Sequence, residues 1–134
     1  MNPVFSFFLI DDDLDNQEIF AIVLKQIDET AACFFANDGI YALEKIKADN
    51  SFVPQVISID INMPRMNGIQ CLAEIKKIDH LKTVPVIFYS TFADPEKIVE
   101  MKALGAAEYF EKPSDIDILI NKLSSIFKDH HFLS

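Results

Sequence analysis

No stretch of this sequence is apolar for long enough to cross a bilayer. The longest apolar run near the start, Val4 to Ile10, is broken by Ser6 and leads straight into Asp11-Asp12-Asp13. It has neither a basic leader nor a small-residue cleavage site, so it reads as a buried strand rather than a secretory signal. Basic residues are scarce too. Twelve Lys plus Arg stand against 21 Asp plus Glu, a formal net charge of −9. They form no visible cluster, which removes the usual basis for displacing counterions from nucleic acid. Cysteine is limited to Cys33 and Cys71. Both lie in apolar surroundings without spaced His or Cys companions, and read as small core residues in a reducing compartment. His130 and His131 stand at the tail with no third or fourth ligand nearby, and read as surface. No internal repeat or low-complexity tract appears, and nothing resembles a linker before the last few residues.

The 134 residues are half hydrophobic and a quarter charged, which fits one compact domain. Disorder would need lower hydrophobicity. Short apolar runs alternate with segments of helical period. Strands are expected at 5–10, 31–36, 56–59, 86–89 and 107–110. Between residues 15 and 27, Ile19, Ile22, Val23 and Ile27 recur at helical spacing. Asn37-Asp38 offers caps for a helix carrying Ile40, Leu43 and Ile46 on one face. After a loop at 62–68 comes a helix with Ile69, Leu72, Ala73 and Ile75. Asp94-Pro95 suits a helix start, the Asp as cap and the proline where no amide is needed, and Gly105 suits its end. Ser114 is placed to cap a last helix with Ile116, Leu119, Ile120, Leu123 and Phe127 as its apolar stripe. Five strands alternating with five helices predict an α/β fold, a parallel sheet covered on both faces.

In an open parallel sheet, ligands sit beyond the carboxyl ends of the strands. Asp11, Asp12 and Asp13 follow the first strand, Asp60 ends the third, Ser90-Thr91 the fourth, and Lys112 follows the fifth. The second ends in Asn37-Asp38, which capping explains. Acids at one such end would be ordinary, but this is a collected set. If the sheet brings the first and third strands together, Asp11, Asp12 and Asp60 crowd and repel unless a cation intervenes. Mg²⁺ suits, since it takes one or two carboxylates and fills its octahedron with water and phosphate oxygens. Lys112 either pairs with one of these carboxylates or binds an anionic ligand oxygen. Ser90 either satisfies local backbone or donates to that ligand. Together they look built to hold a phosphoryl group on a carboxylate, where positioning and charge neutralisation do most of the chemistry.

Four segments then carry a specific resemblance: Phe8-Leu9-Ile10-Asp11-Asp12-Asp13; Ile59-Asp60-Ile61-Asn62-Met63-Pro64 with Met66-Asn67-Gly68; Pro85 to Ser90; and Glu111-Lys112-Pro113. In this order and at these strand ends they resemble the receiver domains of two-component response regulators, over about Phe5 to Phe127. The resemblance implies a flavodoxin-like (βα)5 three-layer sandwich with strand order 2-1-3-4-5. It also implies a single receiver domain over 1–134, with a core at about 5–128 and a tail at 129–134. Asp60 matches the phosphoacceptor, Asp12 the direct metal ligand, and Asp11 its neighbour that reaches the metal through water. Asn62 matches the position whose backbone carbonyl completes the Mg²⁺ site. Ser90 matches the hydroxyl that bonds the phosphoryl oxygen, and Lys112 the lysine that pairs with it. Tyr109 matches the aromatic switch residue coupled to Ser90; otherwise it is a half-buried strand aromatic.

The implied donor is a sensor histidine kinase or a histidine phosphotransfer protein. The implied output is a protein target on the face of the fourth helix, fifth strand and last helix, around Lys97, Met101 and Tyr109. The resemblance points to a stand-alone cytoplasmic regulator with no direct nucleic-acid contact and no membrane insertion. It would be no enzyme beyond its own phosphorylation and dephosphorylation. Leu14 replaces the more usual proline or small polar residue, Tyr89 is larger than the usual aliphatic, and Phe92 is expected to screen the acyl phosphate from water. Two alternatives stand beside this. One is a Mg²⁺-dependent phosphatase with an aspartyl nucleophile, against which Asp60-Ile61-Asn62 lacks the second acid of an Asp-x-Asp motif. The other is an interaction domain that works without phosphorylation.

Overall fold

The computed structural model describes residues 6–61, 63, 65–90, 94–111 and 115–129, with Ser90, Phe110 and 127–129 described in backbone only. Five strands, β1 (Ser6–Ile10), β2 (Ala32–Ala36), β3 (Val56–Ile59), β4 (Val86–Ser90) and β5 (Glu108–Glu111), alternate with α1 (Leu14–Ile27), α2 (Gly39–Ala48), α3 (Gly68–Ile75), α4 (Pro95–Ala103) and α5 (Ile116–Asp129). The strands form one parallel sheet in the order β2-β1-β3-β4-β5. The α/β class and strand order therefore stand as expected.

The central strands are apolar on both faces because both are covered. Phe8, Ile10, Ile57, Ile59, Val86 and Phe88 face a core layer closed by α2, α3 and Met101 of α4. Phe7, Leu9, Val56, Ile87 and Tyr89 face a second layer closed by α1 and α5. Successive residues of a strand point to opposite faces, so each strand feeds both layers.

Several elements differ in detail from expectation. In α1 the buried residues are Phe20, Val23 and Leu24, while Ile19 and Ile22 are 37% and 48% exposed. Two apolar stripes of helical spacing overlap in this segment. The one carrying an aromatic wins, with Phe20 packed on Phe7 and, edge to face at 4.6 Å, on Tyr89. In α5 Leu119 and Leu123 are buried and Ile120 packs beside them as expected, Ile126 joins them, and Ile116 is exposed. Met101, expected on an output surface, is fully buried in the core. β5 lies one residue later than expected, pairing Tyr109 with Phe88. A 3₁₀ turn at Asp79–Leu81, not anticipated, leads into β4.

Caps fix the helix starts. Asp13 accepts from the amides of Asp15 and Asn16 at α1, and Asp38 from Tyr41 at α2. Asn67 and Gln70 form a reciprocal capping box at α3. Pro95 opens α4 as expected, but the Asp94 side chain makes no capping bond. Gly105, at φ 101°, follows the end of that helix. The expected cap Ser114 lies outside the described residues, and Asp115 accepts from Asp117 N at the start of α5.

Candidate functional site

Register sets the site. Ile10 pairs with Ile59, and Ile59 with Phe88, so Asp11, Asp60 and Tyr89 follow abreast at the carboxyl ends of three adjacent strands. Backbone bonds hold two of them in line: Asp60 N donates to Ile10 O and Asp11 N to Ala36 O, each at 3.0 Å. One carboxylate oxygen each from Asp11, Asp12 and Asp60 lies within 4.8 Å of the others. Asp11 is fully buried, Asp60 is 6% exposed, and Asp12 is open to solvent. Asp13 does not join this group. Its carboxylate caps α1 and so faces the helix amides, where a negative charge is favoured.

Asp11 is held from several sides. Its Oδ1 accepts from Asp13 N at 2.9 Å and its Oδ2 from Asn16 Nδ2 at 3.4 Å. Its main-chain carbonyl accepts from Gln17 Nε2 at 2.8 Å, and the same nitrogen donates to Asn37 Oδ1 at 2.8 Å. Sequence reasoning missed Gln17 and Asn37. The only signal was a polar residue one helical turn inside α1, which solvation explains equally well.

Below Asp60 the chain turns tightly into α3. Gly68 N donates to Ile61 O at 2.9 Å. A Cβ at position 68 would lie 2.5 Å from the Asp60 carbonyl oxygen and 2.9 Å from Ile61 Cα, closer than a side chain tolerates. Arg65, in the same loop, forms an ion pair with Asp38. The Tyr41 amide, and after it the Arg65 guanidinium, holds the Asp38 carboxyl below its usual range.

Tyr89, whose packing the sequence left open, is buried against Phe20. Burial first, and the negative charge of Asp11 second, pushes its phenol up to about 12. Tyr109 is half-buried against the α3–α4 layer. Its hydroxyl is buried and finds no hydrogen-bond partner among the described residues. Burial, then Glu111, raises its pKa. The backbone of Ser90 lies abreast of Glu111. Asn62, Phe92, Lys112, His130 and His131 lie outside the described residues. Cys71 is buried and Cys33 half-buried. Burial pushes both thiols up to about 12, against any nucleophilic role near neutrality.

Three close carboxylates at the ends of parallel strands form an all-oxygen donor set of the kind a hard divalent cation uses. The model of the response regulator receiver domain matches residues 7–124. The chain belongs to this family. As a receiver it is 38% identical over 109 residues to protein-glutamate methylesterase/protein-glutamine glutaminase 3 of Leptospira interrogans, a match covering 79% of the chain. It spans only 29% of that longer protein. To sporulation initiation phosphotransferase F of Bacillus subtilis it is 32% identical over 106 residues, covering 78% of the chain and 82% of that protein. It also superposes on a chain of the CheX–CheY–BeF3–Mg²⁺ complex from Borrelia burgdorferi. There the TM-score is 0.78 at 26% identity, covering 92% of this receiver and 89% of that chain. The family resemblance read from four motifs is thereby established, and receivers as a class work with histidine kinases and phosphotransfer proteins.

Proposed function

We propose that this receiver accepts a phosphoryl group on Asp60 from the phosphohistidine of a sensor kinase or phosphotransfer protein, with Mg²⁺. The observation that carries this reading is the convergence of Asp11, Asp12 and Asp60 within 4.8 Å. The donor set fits the ion: three carboxylates, hard oxygen ligands, one of them open to solvent. Asp11, Asp12, Asp60 and the Asn62 main-chain carbonyl would hold it. A bound Mg²⁺ neutralises charge on the acids and on the incoming phosphoryl oxygens. The relative in the complex from Borrelia burgdorferi, solved with BeF3 and Mg²⁺, supports the same assignment.

The protein's own part is positioning. Asp60 sits fixed by the hydrogen bond its main-chain N–H donates to Ile10 O, slightly exposed, at the point an incoming donor can reach. Its carboxylate oxygen attacks phosphorus as the phosphorus–nitrogen bond of the donor imidazole breaks, and the imidazole departs with the electron pair. Ser90 and Lys112 then gain contacts to a dianion that the free carboxylate does not offer. Such differential contacts are what shift a conformational equilibrium. Moving it from mostly off to mostly on takes about 5.5 kcal/mol, and charge-assisted hydrogen bonds of about 1.5–3 kcal/mol each supply that. Tyr109 reports the shift on the face of α4, β5 and α5, where a downstream protein binds. The receiver works in the cytoplasm without direct nucleic-acid contact, and its catalysis is confined to its own aspartate.

Incubation with acetyl phosphate and Mg²⁺, read by intact mass, tests this. The parent gains one phosphoryl group that chelation prevents, and Asp60→Ala gains none. An Asp60→Ala protein modified as readily as the parent overturns the assignment. A parent that stays unmodified favours the phosphorylation-independent alternative, and steady release of phosphate from generic monoesters favours the phosphatase.

A further inference from the structure

Arg65 is the only arginine in the chain. Among the described residues it is also the only one besides glycine with a positive φ, at 65°. A residue with a Cβ disfavours that conformation and glycine adopts it freely, so the surroundings must hold it. Among the described residues, the Arg65 guanidinium forms an ion pair with Asp38. Asp38 is doubly used: Oδ2 takes the guanidinium while Oδ1 caps α2 by accepting from Tyr41 N at 2.8 Å.

The preceding residue continues the line. Asn37 accepts from Gln17, and Gln17 donates to the carbonyl of Asp11. A run of polar contacts thus leads from the acid after β1, through α1 and the β2–α2 corner, to the loop that follows Asp60. One end of this run is Asp11 of the acidic cluster, and the other is Arg65, five residues after Asp60 in the chain. An ordinary surface ion pair has no need of a strained backbone on one side and a helix cap on the other.

We propose that Arg65 is a positioning residue of the acidic site, latching the β3–α3 loop to the α2 cap through Asp38 and so fixing the backbone that follows Asp60. The proposal rests on the Mg²⁺-dependent reading above for its functional effect, but not for its structural one. Arginine suits the task because its planar fork stays charged and oriented.

The test uses Arg65→Gly, Asp38→Asn and the double variant of the full chain. Glycine relieves the positive φ, so the fold persists. Asparagine keeps the α2 cap while losing the charge. Hydrogen exchange of the Gly68 amide, which closes the loop onto Ile61 O at 2.9 Å, is measured in metal-free protein. Mg²⁺ affinity is measured by titration calorimetry at low and high salt. Each single variant should speed Gly68 exchange and weaken Mg²⁺ binding by about three- to fivefold, the scale of one partly exposed ion pair. The double variant should do no more than either single one, and high salt should narrow the gap between parent and variants. Arg65→Lys should recover part of both effects.

Parental exchange at Gly68 in both single variants overturns the latch. So do additive effects in the double variant. Faster exchange with unchanged Mg²⁺ affinity overturns its role at the site. A parent that binds no Mg²⁺ counts instead against the cation reading, and the exchange data alone then decide the latch.

Discussion

At position 68 a hydrogen stands where every other residue type would place a carbon, and the start of α3 depends on it. The contact it avoids is with main-chain atoms of Asp60 and Ile61, which cannot swing aside as a flexible side chain would. Gly68→Ala is therefore expected to lose about 1–3 kcal/mol in urea unfolding, the usual scale of forced overpacking. It should also weaken Mg²⁺ binding, because the carbonyl that must retreat belongs to Asp60 itself. At this scale the sequence was legible where a residue type had one good reason to stand at a strand end. Asp11, Asp12 and Asp60 were found that way, and they do converge. Gln17 and Asn37 were not, because a polar residue on a helix and an amide beside a cap are normal on any surface. Only the fold makes their 2.8 Å contact meaningful.

Elements were predicted from periodicity, and periodicity gives the existence of a helix more readily than its rotation. α1 shows why. Its apolar residues satisfy helical spacing along two adjacent stripes, one through Ile19 and Ile22 and one through Phe20 and Leu24. The choice between them falls to packing: the Phe20 ring reaches Tyr89 and Phe7 across the α1–α5 layer, contacts that no local spacing encodes. This separates two substitutions that the sequence treats alike. Phe20→Ala should lose about 3–5 kcal/mol, as large-to-small changes at full burial do. Ile22→Ala, at a site 48% exposed, should lose well under about 1 kcal/mol. Equal losses in chemical denaturation would mean that the helix is rotated from the orientation described. Strand boundaries fared better than helix rotation, since β3 is bounded by Pro54 on one side and Asp60 on the other and allows little slippage. β5 slid by one residue because Ala107 and Glu111 are both acceptable ends for so short a strand.

The whole chain carries a formal charge of −9, and the fold concentrates three of its acids at one point. Carboxylates this close repel one another, and an ion that binds only the native site adds stability by mass action. At a hundredfold excess over its Kd that gain is about 2.7 kcal/mol, several degrees of Tm for a domain of this size. General screening by monovalent salt relieves repulsion everywhere but cannot bridge carboxylates, so Mg²⁺ should stabilise far more than sodium chloride of equal ionic strength. Asp12→Asn separates the two effects, being solvent-exposed and therefore tolerant of substitution. Without Mg²⁺ the variant should melt at or above the parent's temperature, because one of the crowded charges has gone. With saturating Mg²⁺ for the parent, it should melt below the parent, because a ligand has gone too. Thermal melts of both proteins with and without the ion check this crossing. If the variant lies below the parent in both conditions, Asp12 acts as a structural residue, and the acids do not gather for the sake of a cation.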